Sequence, residues 1–182
     1  MRRYIFTGAP GAGKTTLLAA LGGRGHAVVD EAVTDLIEAR QAEGVEDPWT
    51  DPDFLSVILT LQQHRQAAAT SGDLTLFDRS PVCTLALARY GGHRVPADLR
   101  DEVARLARDG FYQREVFMVR PIGFIERTAV RRISYDDSLR FERIHEQTYT
   151  EFGFCLVDVP PAPVAERAGI VEEMLRGLEP RP

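Results

Sequence analysis

Asparagine is absent from this 182-residue chain and lysine occurs once, at Lys14; all the other residues among the 22 Lys and Arg are arginines. An N/T-K-x-D segment of the kind that reads a guanine base is therefore impossible, which argues against a GTP switch. Cysteine is scarce. Cys83 and Cys155 form neither a C-x-x-C pair nor a zinc spacing, and two buried free thiols are expected rather than a disulfide. The histidines His26, His64, His93 and His145 show no metal-ligand spacing, and His145 reads as a packing residue near an apolar helix face. No apolar run approaches the roughly 20 residues that a bilayer crossing needs. Arg2 and Arg3 are followed by no long apolar segment, so neither a membrane span nor a signal peptide is expected, and a cytoplasmic location is. Positive charge is not in excess: the formal net charge is −5, which argues against an extended nucleic-acid footprint. Repeats, low-complexity tracts and linkers are missing. With 44% hydrophobic and 27% charged residues, the whole of 1–182 reads as one globular domain.

The lone lysine stands in Gly8-Ala9-Pro10-Gly11-Ala12-Gly13-Lys14-Thr15, a G-x-x-x-x-G-K-[ST] run followed by Thr16. Glycines let a backbone wrap a pyrophosphate with its N–H groups inward. Lysine is a compact charge on a flexible stem that reaches between phosphates, where the arginine fork is bulky. Arg3 to Thr7 reads as the strand entering this loop, and Thr16 to Leu21 as the helix leaving it, closed by Gly22-Gly23. A helix N-terminus adds its dipole to an anion site. Residues 8–16 are thus expected to bind a nucleoside triphosphate, with the Thr15 hydroxyl on Mg²⁺. ATP and Mg²⁺ are the cofactors this implies.

Strands alternate with helices along the rest of the chain. Strands are expected at His26 to Asp30, Leu74 to Phe77, Glu115 to Val119 and Phe154 to Val159. Helices are expected at Glu31 to Glu43, Asp53 to Thr70, Val82 to Tyr90 with Pro81 in its first turn, Pro96 to Asp109 and Asp136 to Phe152. Val164, Ala168, Val171, Leu175 and Leu178 mark a last one. Gly44 to Pro52 is turn-rich, and Glu179 to Pro182 is expected to fray. Five strands with intervening helices predict an α/β fold, a parallel sheet covered on both faces.

Site chemistry belongs at the carboxyl ends of such strands. Asp30-Glu31 follows the second strand and Asp78-Arg79-Ser80 the third. One carboxylate can take the proton of an acceptor hydroxyl, another can hold Mg²⁺, and the arginine can balance phosphate charge. Asp30 and Glu31 are alternatives for the base, and either can instead merely cap the following helix. Asp78 is the second metal candidate beside Thr15. Arg120 to Tyr135 is irregular and arginine-rich, with Arg120, Arg127, Arg131 and Arg132 against Glu126. It reads as a lid closing over phosphates, Arg131 and Arg132 foremost, or as a solvated face.

GAPGAGKTTLLAAL, VVDEAVTDLIEARQAEG, LFDRS, the RRISYDD segment and GFCLVDVP together resemble P-loop kinase-like ATPase domains of the NadR type, the nicotinamide riboside kinases and their relatives, over nearly the whole chain. The resemblance implies a three-layer P-loop NTPase with sheet order 2-3-1-4-5 and a lid after strand four. It places Gly8, Gly13, Lys14 and Thr15 at the nucleotide, Glu31 near the acceptor, and Asp78-Arg79 at Mg²⁺ and the acceptor phosphates. Arg131 and Arg132 fall in the lid. The activity implied is transfer of the γ-phosphoryl of ATP to a small hydroxylated acceptor. The alternative is an ATP-binding or ATP-hydrolysing regulator without one. Against it, Asp78 is followed by Arg79, where a hydrolysing motor carries a water-orienting glutamate. The acceptor's identity and the oligomeric state stay open.

Overall fold

A computed structural model describes residues 1–69, 72–121 and 135–178. Its strands are β1 (Arg2–Thr7), β2 (Ala27–Val29), β3 (Leu74–Asp78), β4 (Glu115–Val119) and β5 (Cys155–Val159). Its helices are α1 (Lys14–Gly23), α2 (Ala32–Ala42), α3 (Phe54–Ala68), α4 (Pro81–Gly91), α5 (Ala97–Asp109), α6 (Tyr135–Glu151) and α7 (Val164–Gly177). The strands form one parallel sheet in the order β2-β3-β1-β4-β5.

β1 sits at the centre with neighbours on both sides, which is why it reads as a continuous apolar run rather than an alternating one. Tyr4 and Phe6 point to one face, against Leu17, Leu18 and Leu21 of α1 and Val171 and Leu175 of α7. Ile5 points to the other, where Leu59, Val82, Leu85, Leu99, Val103, Leu106 and Tyr149 from α3 to α6 close the second layer. Phe6 stacks on Phe117 of β4 with centroids 4.8 Å apart. A smaller cluster of Ile37, Phe54 and Ile58 seats α2 on α3.

The register positions the site. Phe6 pairs with Asp78, so the end of β3 lies beside the exit of β1 into the glycine-rich loop. Val29 pairs with Phe77, which brings the residues after β2 to the same edge.

Element bounds agree with the sequence expectations to within a few residues, with three differences. α1 begins at Lys14, earlier than the expected Thr16, and Gly22 and Gly23 lie inside its last turn; the chain reverses at Gly25 (φ +97°) instead. The turn-rich stretch contains a 3-10 turn at Pro48–Thr50. Cys83 is buried as expected, but Cys155 is exposed on the edge strand β5. The expected end of the long helix at Thr70 and the tail 179–182 lie outside the described residues. Among the described residues no helix is long and apolar enough to cross a membrane.

Candidate active site

The loop leaves β1 at Gly8, whose φ is +136° and where an added Cβ would be pressed into the carbonyl oxygen of Val119. Only glycine satisfies both demands. Ala9 and Ala12 are fully buried, Pro10 and Gly11 half-buried, and Thr15 and Thr16 exposed at the start of α1. Gly13, at φ +85°, caps α1 without a side chain. The first-turn amides are thus left for an external acceptor, which suits an anion. Lys14 folds back across the loop, its Nζ donating to the carbonyls of Gly8 at 3.2 Å and Ala9 at 3.0 Å. Burial, then the charge of Arg79, lowers its pKa to about 8, against the attraction of Asp78 and Glu31.

Asp78 closes the far side of the loop. Thr15 Oγ1 donates to Asp78 Oδ2 at 3.0 Å, while Asp78 Oδ1 is buried and has no hydrogen-bond partner among the described residues. Burial pushes the Asp78 carboxyl above the ordinary carboxylate range, and the nearby Glu31 adds to it; Lys14, Arg79 and the Thr15 hydroxyl pull the other way. An orphaned carboxylate oxygen next to a helix-start hydroxyl fits Mg²⁺, which takes few protein ligands and completes its shell with phosphates and water. No cluster of three or more His, Cys, Asp or Glu suited to a metal occurs among the described residues.

Glu31 is the N-cap residue of α2 by its backbone, yet its side chain makes no capping bond. It turns inward. Oε1 pairs with Arg79 Nε in an ion pair whose side chains are 17% and 10% exposed. Oε2 accepts from Thr34 Oγ1 at 2.9 Å. Burial raises the Glu31 pKa, but Arg79, Lys14 and the Thr34 bond outweigh it and hold the carboxyl below its ordinary value. Asp30, by contrast, is exposed, and what it supplies to the fold is its carbonyl, which accepts from Arg65 Nη1 at 2.7 Å. Of the two candidates for the base, Glu31 is the one paired with Arg79, whereas Asp30 is an exposed residue on the rim of the crevice beside Asp78 and Arg79.

Arg79 has the left-handed φ of +70°, the only such value at a non-glycine among the described residues. Its amide donates to Phe6 O at 3.0 Å, tying the residue to the end of β1. Arg79 Nη1 lies 3.4 Å from His145 Nε2. His145 is fully buried, and burial together with Arg79's charge lowers its pKa to about 3.

The arginine-rich segment divides. Arg127, Arg131 and Arg132, with Glu126, lie outside the described residues. Arg120 does not belong with an unpaired set: Nη1 donates to Glu142 Oε1 and Glu146 Oε1, each at 2.5 Å, and Nε to Asp158 Oδ1 at 2.9 Å. Three carboxylates from α6 and β5 neutralise it, all of them more than 20 residues along the chain, so its pairing was not visible in the local charge balance.

Arg167 of α7 was missed. Only 3% exposed, it donates to the carbonyls of Ala12 at 2.7 Å and Pro160 at 2.9 Å, and also to that of Arg120. It fastens the glycine-rich loop to the ends of β4 and β5. An arginine on an otherwise apolar stripe, beside Ala168 and Val171, is the one signal the sequence offered.

A narrow crevice opens next to Asp78 and Arg79 between the ends of β2 and β3 and α3. Gln62, Gln66 and Tyr112 line it, with Gln66 Nε2 donating to Tyr112 Oη at 3.0 Å.

The family model of the AAA domain matches residues 3–167. No curated protein matches at the level of sequence. Among solved structures, deoxyadenosine kinase from M. mycoides with the products dCMP and a flexible dCDP bound is similar to this chain with a TM-score of 0.64 at 15% identity, covering 97% of this chain and 100% of that one. NadR protein in complex with NAD and AMP-PNP gives 0.66 at 14% identity, and NadR with NR 0.69 at 15%. Each alignment covers 100% of this chain but 51% and 52% of the NadR chains, so the chain spans about half their length. At these identities the likeness establishes the fold.

Proposed function

Because the chain belongs to this family of AAA domains, with the fold of the P-loop kinases, we propose that it is a cytoplasmic phosphotransferase whose residues 1–182 form one P-loop kinase-like domain. It moves the γ-phosphoryl of Mg-ATP to the hydroxyl of a small acceptor. The observation that carries the reading is the meeting of Lys14, Thr15, Glu31, Asp78 and Arg79 at the carboxyl ends of β1, β2 and β3.

Residues 8–16 bind the triphosphate through their backbone amides, and Lys14 leaves the loop carbonyls for the β- and γ-phosphates. Thr15 and Asp78 hold Mg²⁺, whose charge offsets that of the phosphates. Glu31, kept ionised by Arg79, accepts the proton as the acceptor oxygen bonds to the γ-phosphorus and the bond to the β,γ-bridging oxygen breaks, leaving ADP. Arg79 steadies phosphate charge, and Arg131 and Arg132 add positive charge as the transfer proceeds.

The test is ADP release from Mg-ATP with a panel of hydroxylated metabolites, opening with deoxyadenosine, deoxycytidine and nicotinamide riboside, because the fold is similar to a deoxyadenosine kinase holding dCMP and dCDP and to NadR protein holding NR. Release well above the no-acceptor background for one class of compound supports the proposal. Hydrolysis that no acceptor stimulates refutes it in favour of an ATP-hydrolysing regulator.

A further inference from the structure

Arg79 combines a left-handed backbone, which a side chain seldom tolerates without compensation, with a guanidinium almost wholly removed from solvent. Glu31 pairs with it, and Asp78 and the Cys83 thiol also favour its charged form. α6 reaches it as well, through His145. Phe141, His145 and Tyr149, four residues apart, form one stripe of that helix. Tyr149 Oη lies 2.9 Å from Ser80 Oγ and 3.0 Å from Cys83 Sγ, so the stripe grips the residue after Arg79 as well. The His145 ring packs edge-on to Phe141 with centroids 4.1 Å apart.

Two independent contacts fix the tautomer. His145 Nδ1 lies 3.0 Å from Phe141 O, and a carbonyl only accepts, so Nδ1 carries the hydrogen. Nε2 faces Arg79 Nη1, which only donates, so Nε2 must present its lone pair. We propose that His145 is a positioning residue for Arg79: its neutral Nε2 accepts from Nη1 and holds the guanidinium with Nε on Glu31 and its remaining donors toward the acceptor end of the site.

The residue type matters. A carboxylate at this place would satisfy the arginine's charge and compete with Glu31 and with substrate phosphate. A neutral acceptor orients the fork and leaves its charge available. Burial and the adjacent guanidinium keep the imidazole in that neutral form.

The experiment has two arms. The structural arm does not depend on the phosphotransfer reading; the kinetic arm rests on it. In ¹⁵N spectra of the whole protein, His145 is expected as the Nδ1–H tautomer, and the Arg79 guanidinium, assigned by its loss in Arg79→Lys, as slowly exchanging. His145→Leu should speed that exchange at least about tenfold. His145→Gln, whose amide oxygen can take the place of Nε2, should keep it within about threefold. With the acceptor identified above, kcat should fall roughly 10–100-fold in His145→Leu, as for the loss of an orienting partner. KM for ATP should stay within about twofold, and His145→Gln should recover most of kcat. An Nε2–H tautomer in the wild type overturns the proposal without any variant. So does a folded His145→Leu with unchanged Arg79 exchange, or a folded His145→Gln as impaired as His145→Leu. If no acceptor is found, the phosphotransfer reading fails while the tautomer and exchange arm still decides this one.

Discussion

Glu31 and Lys14 carry the sharpest consequences at the scale of single residues. Glu31 makes no side-chain cap, so Glu31→Gln should not show the loss expected of a broken cap. Its stability cost should come from leaving the Arg79 charge less compensated, and stay below the about 3–5 kcal/mol of a fully broken buried pair. Turnover should drop by roughly 10²–10⁴-fold with ATP affinity nearly unchanged, measured by steady-state kinetics beside calorimetry. Asp30→Asn, altering an exposed side chain, should leave turnover within about threefold. Lys14 allows a direct reading of its charge, because lysine-specific isotope labelling gives one side-chain signal. The free protein should titrate at about 8. Phosphates restore partners to the ammonium, so the bound pKa is higher and Mg-ATP binding takes up a proton wherever the free residue has lost it. Affinity is therefore flat below pH 8 and falls by up to about tenfold per unit above it. Equal binding heats at about pH 9 in two buffers of different ionisation enthalpy would count against this. The glycine-lysine run, Asp78 and Arg79 were legible as sequence because their neighbours declare their place: a strand end, then a loop or helix start. Which of Asp30 and Glu31 faces inward was not, since adjacent residues differ only in direction. The link from His145 to Arg79 spans 66 residues, and no local pattern announces it.

Among the elements, α7 does more than cover the sheet. Its Arg167 supplies donors to three backbone carbonyls, including that of Ala12 in the phosphate loop. Arg167→Ala leaves these acceptors without a partner at about 1–3 kcal/mol for each that stays buried. It should lower stability measurably in urea and weaken ATP binding through a looser loop. Arg167→Lys, with one ammonium in place of a fork, should recover only part. Full ATP affinity in a folded Arg167→Ala would show that the loop holds its shape unaided. The strands and helices themselves were legible because β1 and β4 are buried on both faces and α5 keeps Leu99, Val103 and Leu106 in helical register. The bounds of α1 were not. Lys14 and Thr15 are helical because the loop's left-handed Gly13 starts the helix directly, with no polar cap residue to mark the place.

For the molecule as a whole, a phosphate site that is mostly backbone should be coupled strongly to folding. Mg-ATP at about a hundred times Kd adds about 2.7 kcal/mol, which for a chain of this size raises Tm by roughly 5–10 °C. Lys14→Ala should fold yet lose most of this rise. The measurement that tests the central claim most directly follows the γ-phosphorus itself. In ³¹P spectra of the protein with Mg-ATP and the acceptor panel, the γ resonance should be replaced by a new phosphomonoester signal at the rate ADP appears, and Glu31→Gln should slow its appearance by roughly 10²–10⁴-fold. A γ resonance that passes only into inorganic phosphate, whatever acceptor is present, would contradict the account.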